Sequence, residues 1–401
     1  MGLRPSPRWP RRPGGRVASA PSGRPPLRGA VVAPGCRVGR TRGDGDVDLA
    51  GPRGGKYVSA ENLTFVVGTG RSGSTALSRV LREHPDVLSL NELGATALQP
   101  DTLCEEPLTG KEFWSRITAP NELFNNMIRS EVPLPEFLYD MSTGRYSTEG
   151  GGIPALSLMV LPHLSDDPDG LLDTLEPKIT SRPSAPCAAH WETLFEALAA
   201  HQGGARAVVE RSGFSTGNIP LLHAHFPHAR FVHLHRDGPD CALSMSRHAG
   251  FRMIMQLMDM AELAGVDSPR ELTDEHKAVL PPHLSALLEE RFDPALLWER
   301  ELPVARFAGL WSRLVQEATE HLGALPPDTV TTLSYERMLD EPREQLTRLA
   351  GFLGVPPLPD WLDRAATMLD PGRRGAALRL PPDELAAVRS ACAPGAAVLG
   401  R

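Results

Sequence analysis

The sequence predicts an α/β protein with a central, mainly parallel sheet flanked by helices. Two observations carry this. Short β-branched or aromatic runs alternate with stretches whose apolar residues recur at helical spacing, the pattern of strand–helix–strand units. The first run, LTFVVG at 63–68, passes through a glycine-rich turn straight into a helix, the local order that places a loop at the carboxyl edge of a parallel sheet.

Taken along the chain, LTFVVG is a buried strand by its composition and its closing glycine. STALSRVLREH at 74–84 follows as a helix, with Leu77, Val80 and Leu81 on one face and Pro85 as its stop. DVLSL at 86–90 reads as the second strand, ARAVVE at 205–210 and ARFVHLH at 229–235 as the next two, and TVTTLSY at 329–335 as another. REQLTRLAGFLG at 343–354 is a helix ended by glycine. Two segments break the rhythm. Residues 95–200 are rich in Pro and Gly and read as irregular, with helical pieces such as EFWSRI and ETLFEALAAH; residues 250–315 read as mostly helical. Ligands of open α/β sheets sit beyond the carboxyl ends of the strands, so these insertions are expected to wall an acceptor pocket.

Charge is unevenly spread. Residues 1–56 hold 11 Arg and 1 Lys against 3 Asp, a net of +9, which leaves −16 for the rest of a chain whose total is −7. So acidic a body argues against a broad nucleic-acid surface. Residues 1–57, rich in Arg, Pro and Gly and without apolar period, are expected to be a disordered tail before a domain at 58–401; a start codon assigned too far upstream gives the same composition. Arg11-Arg12 lacks the apolar run of an export signal. No run approaches the ~20 apolar residues that cross a bilayer. The cysteines (Cys36, Cys104, Cys187, Cys241, Cys392) form no C-x-x-C pair and the histidines no H-E-x-x-H. That argues against a zinc site and for a reducing, cytoplasmic setting. The Arg, Pro and Gly content suits a high-GC, bacterial genome.

The chemistry is concentrated in FVVGTGRSGSTAL, Phe65 to Leu77. Gly68, Gly73 and Thr75 match G-x-x-x-x-G-K-[ST], but Ser74 stands at the lysine position and the loop's cation is Arg71. Gly70 and Gly73 let the backbone turn its N–H groups toward an anion, the helix from Ser74 adds the positive end of its dipole, and Ser72, Ser74 and Thr75 can donate hydroxyl bonds. A P-loop-like three-layer fold follows. Losing the lysine argues against a triphosphate with magnesium and for an anion of fewer charges held without metal.

The segment resembles the 5′-phosphosulfate loop of bacterial-type sulfotransferases. In those enzymes a Lys or Arg, a Ser, a Gly and two hydroxyl residues wrap the phosphosulfate of 3′-phosphoadenosine-5′-phosphosulfate, matching Arg71, Ser72, Gly73, Ser74 and Thr75, with Gly70 beside them. A second stretch, Phe226 to His248, ends a strand in Arg236-Asp237-Gly238 and places Ser244 eight residues beyond Arg236. It resembles the family's 3′-phosphate signature, and Arg can grip a phosphate through parallel charge-assisted bonds; an ion pair of Arg236 with Asp237 or Asp240 is the structural alternative. HRD at 235–237 is no kinase catalytic loop, because Ala242 occupies the required Asn position and no D-F-G follows. By resemblance Tyr335 would lie near the adenosine or 3′-phosphate. Arg373-Arg374-Gly375 is similar to the segment that closes over the 3′-phosphate, although the usual G-D-W is absent.

In the branch that sulfates tyrosine in proteins, an H-P-x-V stretch leads into a glutamate proposed as base. His84, Pro85 and Val87 match it, which carries the role to Glu92. Arg211 falls where that branch has a lysine near the sulfuryl group, and is either a transition-state stabiliser or an ion-pair partner of Glu210. His233 and His235 read as sheet-end core residues, and His248 and Arg252 as candidates for the cleft wall. The resemblance implies in-line transfer of a sulfuryl group to a hydroxyl or amine of a small-molecule, lipid or sugar acceptor. The alternatives are a P-loop small-molecule kinase or nucleotidase, which would want Lys at position 74, and a non-catalytic nucleotide-binding protein on the same fold.

Overall fold

The computed structural model describes residues 62–401; the expected disordered tail at 1–57 lies outside the described residues. Five parallel strands form the sheet: β1 (Leu63–Val67), β2 (Val87–Asn91), β3 (Ala207–Arg211), β4 (Arg230–His235) and β5 (Val330–Ser334), in the order β2-β3-β1-β4-β5. Phe65 of β1 registers with Glu210 of β3 on one side and Phe231 of β4 on the other. From β1 the chain builds outward to β2 and β3, then crosses to the opposite side for β4 and β5. The carboxyl end of β1 is therefore where the winding reverses, the place an open α/β sheet offers a crevice.

Every residue of β1, β2 and β3 is buried, as strands covered on both faces must be. Side-chain alternation divides the apolar set between two layers. Leu63, Phe65 and Val67 pack with Leu88, Phe231 and the helices Pro168–Thr180 and Cys187–His201. Val66, Val87, Val209 and Val232 pack instead with α1 (Ser74–Arg82) and with the helices Pro342–Leu353 and Pro359–Met368. Trp361 ties that second layer together by donating from Nε1 to the Val80 carbonyl at 2.8 Å.

Residues 95–200 depart from the irregular expectation. They form helices at Gly110–Thr118, Glu122–Arg129, Pro168–Thr180 and Cys187–His201, among shorter turns. Local chemistry starts them: Thr109 and Glu112 make a reciprocal capping box, and Asn121 and Asp167 accept from first-turn N–H groups. Prolines hid them, because Pro177 lies inside a helix and Pro168 opens one. A separate cluster gathers Gly238–Ser246, Val304–Gly323 and Pro382–Val398 around Trp311.

Candidate active site

Between β1 and α1 the backbone curls sharply. Gly70, Arg71 and Gly73 have φ of 74°, 56° and 91°. An L-residue in that region costs roughly 1–2 kcal/mol, so Arg71 is held there by its surroundings. A Cβ at Gly73 would collide with the Tyr335 ring, and one at Gly68 would stand 2.6 Å from the Leu234 carbonyl oxygen. Both glycines are thus close-approach positions between β1, β4 and β5. Gly73 caps α1 without a side-chain bond, and no acidic residue lies in the first turn. The free N–H groups and positive dipole end of α1 therefore face an uncompensated position suited to an anion.

Around this turn the structure brings together most of the residues singled out in the sequence. Arg71 donates from Nε to Ser244 Oγ at 3.2 Å and from Nη1 to Glu136 Oε1 at 3.1 Å. Arg236 donates from Nη1 to the Arg71 carbonyl at 3.2 Å and from Nη2 to the Arg373 carbonyl at 2.7 Å. Its guanidinium lies 5.0 Å from the centre of the Tyr335 ring, and its buried Nε has no partner. Of the two carboxylates considered, Asp240 is its neighbour, at 3.6 Å; Asp237 instead caps the helix Gly238–Ser246. Asp240 also accepts from the N–H groups of Gly375 and Ala377, at 2.7 and 2.9 Å. The Arg373-Arg374-Gly375 segment thus reaches the cluster by its backbone. The Arg373 side chain is exposed beside Asp370, and that of Arg374 turns to Asp340 at 2.8 Å.

Glu92 follows β2 in a left-handed conformation, with φ of 55°. Its N–H donates to the Arg211 carbonyl at 2.8 Å, Oε1 pairs with Arg211 Nη1, and Oε2 accepts from the Gly213 N–H at 3.0 Å. Arg211 also donates to Asn91 and is 2% exposed, so it stands behind Glu92 and does not line the cleft. The ion pair with Glu210 is corrected here: neighbouring residues of a strand face opposite ways. Glu210 accepts from the Gly94 N–H and from Ser212, and burial pushes its carboxyl up to about 7.

A cleft of about 1460 Å³ opens in front of Arg71, Ser74, Thr75 and Glu92. One wall comes from residues 121–124 and 134–137; the other carries Phe251, Ile254 and Met258 of the helix Ala249–Ala264 and Leu310 and Leu314 of the helix Val304–Gly323. His248 is in the wall, with Nε2 3.1 Å from Glu136 Oε1. Glu136 therefore bridges His248 and Arg71. Burial tends to raise its carboxyl, but the contact with His248 and the Arg71 guanidinium hold it below the ordinary carboxylate value. Glu136 carried no signal in the sequence, because a lone Glu in EVPLPEF belongs to no motif.

Arg252 is corrected as a wall residue. It is buried under Trp298 and donates to the Leu297 and Arg300 carbonyls at 2.5 and 2.6 Å. His233 and His235 are core residues that burial keeps neutral, with pKa values pushed down to about 3 and about 4. Among the described residues, no three His, Cys, Asp or Glu side chains cluster as a metal site, and no helix is long and apolar enough to cross a membrane.

Residues 180–270 match the model of the Sulfotransferase family. That segment carries β3, β4, Arg211, Arg236 and Ser244. Among solved structures, the chain is similar to a sulfotransferase domain from the curacin biosynthetic pathway, at 16% identity and a TM-score of 0.43, covering 82% of this chain and 95% of that one. A sulfotransferase domain from the Synechococcus PCC 7002 olefin synthase aligns at 15% identity and a TM-score of 0.41, over 82% and 93%. Sulfotransferase STF9 from Mycobacterium avium aligns at 15% and 0.38, over 84% and 76%. No curated protein matches the chain by sequence.

Proposed function

We propose that this chain, with its segment matching the sulfotransferase family, moves a sulfuryl group from 3′-phosphoadenosine-5′-phosphosulfate to a hydroxyl or amine of an acceptor held in the cleft. The family match supports sulfuryl transfer in general. The observation that carries the donor assignment is the convergence of Arg71, Ser244, Arg236 and Tyr335 beside the uncapped start of α1.

The residues suit a donor with two separate phosphates. Gly70, Arg71, Ser72, Gly73, Ser74 and Thr75 would hold the phosphosulfate through N–H groups, hydroxyls and one guanidinium. Arg236 and Ser244 would take the 3′-phosphate, and the unpartnered Nε of Arg236 is a donor still to be satisfied. Tyr335 would stack beside the adenosine, and the backbone at Arg373 and Arg374 would close over the same end. Ser74, in place of lysine, fits this ligand better than a triphosphate.

In the transfer, the acceptor oxygen or nitrogen bonds to sulfur as the bond from sulfur to the departing phosphate oxygen breaks. Arg71 and the loop N–H groups would neutralise the charge that grows on that oxygen. Glu92, at the cleft wall, would take the acceptor proton. Both its oxygens are engaged, so it would do so as its contact with Gly213 loosens. Arg211 would fix its orientation from behind. The apolar walls suit an acceptor with a bulky hydrophobic body, whether a small alcohol or phenol or a lipid.

Calorimetric binding of 3′-phosphoadenosine-5′-phosphate, set beside ATP with magnesium, tests the proposal. The bisphosphate is expected to bind at micromolar strength without metal, ATP weakly, and Arg236→Ala to lose at least ~10-fold, the effect of one hydrogen bond to a charged group. Tight, magnesium-dependent ATP binding that ignores Arg236 would overturn it in favour of a kinase.

A further inference from the structure

Cys104 and Cys187 are 83 residues apart in the chain, and their Sγ atoms lie 3.0 Å apart. Backbone structure fixes the meeting. Leu108 and Ala185 exchange hydrogen bonds of 3.0 and 2.9 Å, which clamps the segment after Cys104 to the segment before Cys187. On the other side, Trp191 donates from Nε1 to the Thr102 carbonyl at 3.0 Å. The two sulfurs are thus enclosed between anchored stretches of both segments.

Their surroundings differ in a way that suits two roles. Cys104 is half-buried, and Arg116 Nη1 lies 3.4 Å from its sulfur. Cys187, the first residue of the helix Cys187–His201, is buried, and burial pushes its thiol up to about 11, which keeps its proton in place.

We propose that Cys104 and Cys187 are a peroxide-responsive dithiol, which closes to an intrachain disulfide that staples residues 104–108 to the start of the helix Cys187–His201. Cys104 thiolate attacks one oxygen of a hydroperoxide. The O–O bond breaks, and the departing oxygen takes a proton, leaving Cys104 as sulfenic acid. Cys187 sulfur then attacks Cys104 sulfur, the S–O bond breaks, and the hydroxide leaves as water with the Cys187 proton. With hydrogen peroxide, two thiols give one disulfide and two waters. The staple would hold the chain just beyond Gln99, a cleft-wall residue that accepts a hydrogen bond from Arg270.

The test treats the full chain with hydrogen peroxide, counts free thiols in denaturant and maps the digested peptides. The five cysteines are expected to give three free thiols, with the Cys104 and Cys187 peptides linked. Melting temperature should rise on oxidation and fall back with dithiothreitol. Cys104→Ser, on the half-exposed side, should abolish both the linkage and the rise; it carries the comparison if Cys187→Ser fails to fold. Five free thiols after treatment would overturn the proposal, as would a different linked pair, or Cys104 driven to sulfinic acid while Cys187 stays reduced.

Discussion

Arg211 and Glu92 form a buried ion pair across the ends of β3 and β2, in which the guanidinium supports the carboxylate from behind and the Gly213 N–H supports it from the side. Removing either member has different consequences. Arg211→Ala leaves a desolvated carboxylate, a loss of about 3–5 kcal/mol for a broken buried pair. Glu92→Gln keeps the shape of the wall. With Glu92 as the proton acceptor, it should lower kcat by roughly 10²–10⁴ while bisphosphate affinity stays unchanged. Calorimetry and turnover on the same variant separate the two effects. Equal losses in both would make Glu92 a structural residue only.

Gly73→Ala should damage the loop itself. The methyl group would run into the Tyr335 ring, and the φ of 91° adds about 1 kcal/mol for any L-residue. Bisphosphate affinity should fall at least ~10-fold, since every 1.4 kcal/mol is tenfold in binding. Combining Gly73→Ala with Tyr335→Ala should recover part of the stability lost in the single variant, as read from urea midpoints. Strict additivity would mean that the ring is not what the methyl group meets.

Glu136 holds the guanidinium assigned to the proposed donor. The Arg71–Glu136 pair is partly exposed, at 29% and 22%, so its worth is about 0.2–1 kcal/mol. Glu136→Gln should therefore tighten bisphosphate binding by roughly 1.5- to 5-fold, with a steeper salt dependence. Weaker binding in that variant would show instead that Glu136 positions Arg71 for the anion.

Burial raises the Glu210 carboxyl from 4.5 to about 7. The folded state binds this proton more tightly than the unfolded chain, so its stabilising contribution is complete below pH 4.5 and is lost as pH rises through 7. His233 and His235 act in the opposite sense, because burial depresses their values and protonation in acid opposes folding. Wild type compared with Glu210→Gln isolates the carboxyl. The variant's stability relative to wild type should climb between pH 5 and 7 and level off above, in denaturant melts run at each pH. A flat difference would mean that the folded state holds this proton no more tightly than the unfolded chain does.

The sheet was legible because β1, β2 and β3 are short, mainly apolar runs, as burial on both faces demands, and β4 and β5 are short β-branched or aromatic runs that each lead into a helix. The loop was legible because its glycines serve the backbone locally, and Arg236 and Ser244 because one strand end and the following helix fix their spacing. Residues whose partners come from distant segments were not legible. Glu136 meets Arg71 across 65 residues, and Cys104 meets Cys187 across 83. Arg252 sits on a helix whose cleft face could be guessed from spacing, yet carbonyls at 297 and 300 draw it inward. The helices within 95–200 depend on caps and on prolines tolerated at their first turns, which a reading by apolar period discounts.

The Arg236 contacts also bear on the order in which the molecule acquires its parts. Arg236 lies 165 residues after the loop carbonyl it fastens and 137 residues before the carbonyl its other nitrogen reaches. During translation the loop emerges first, its fastener much later, and the segment anchored on Asp240 later still. A ribosome-bound intermediate that stops short of Gly375 and Ala377 has the cradle but not its closure. On the proposed function, donor binding would therefore wait until Arg373 to Ala377 have emerged and docked on Arg236 and Asp240.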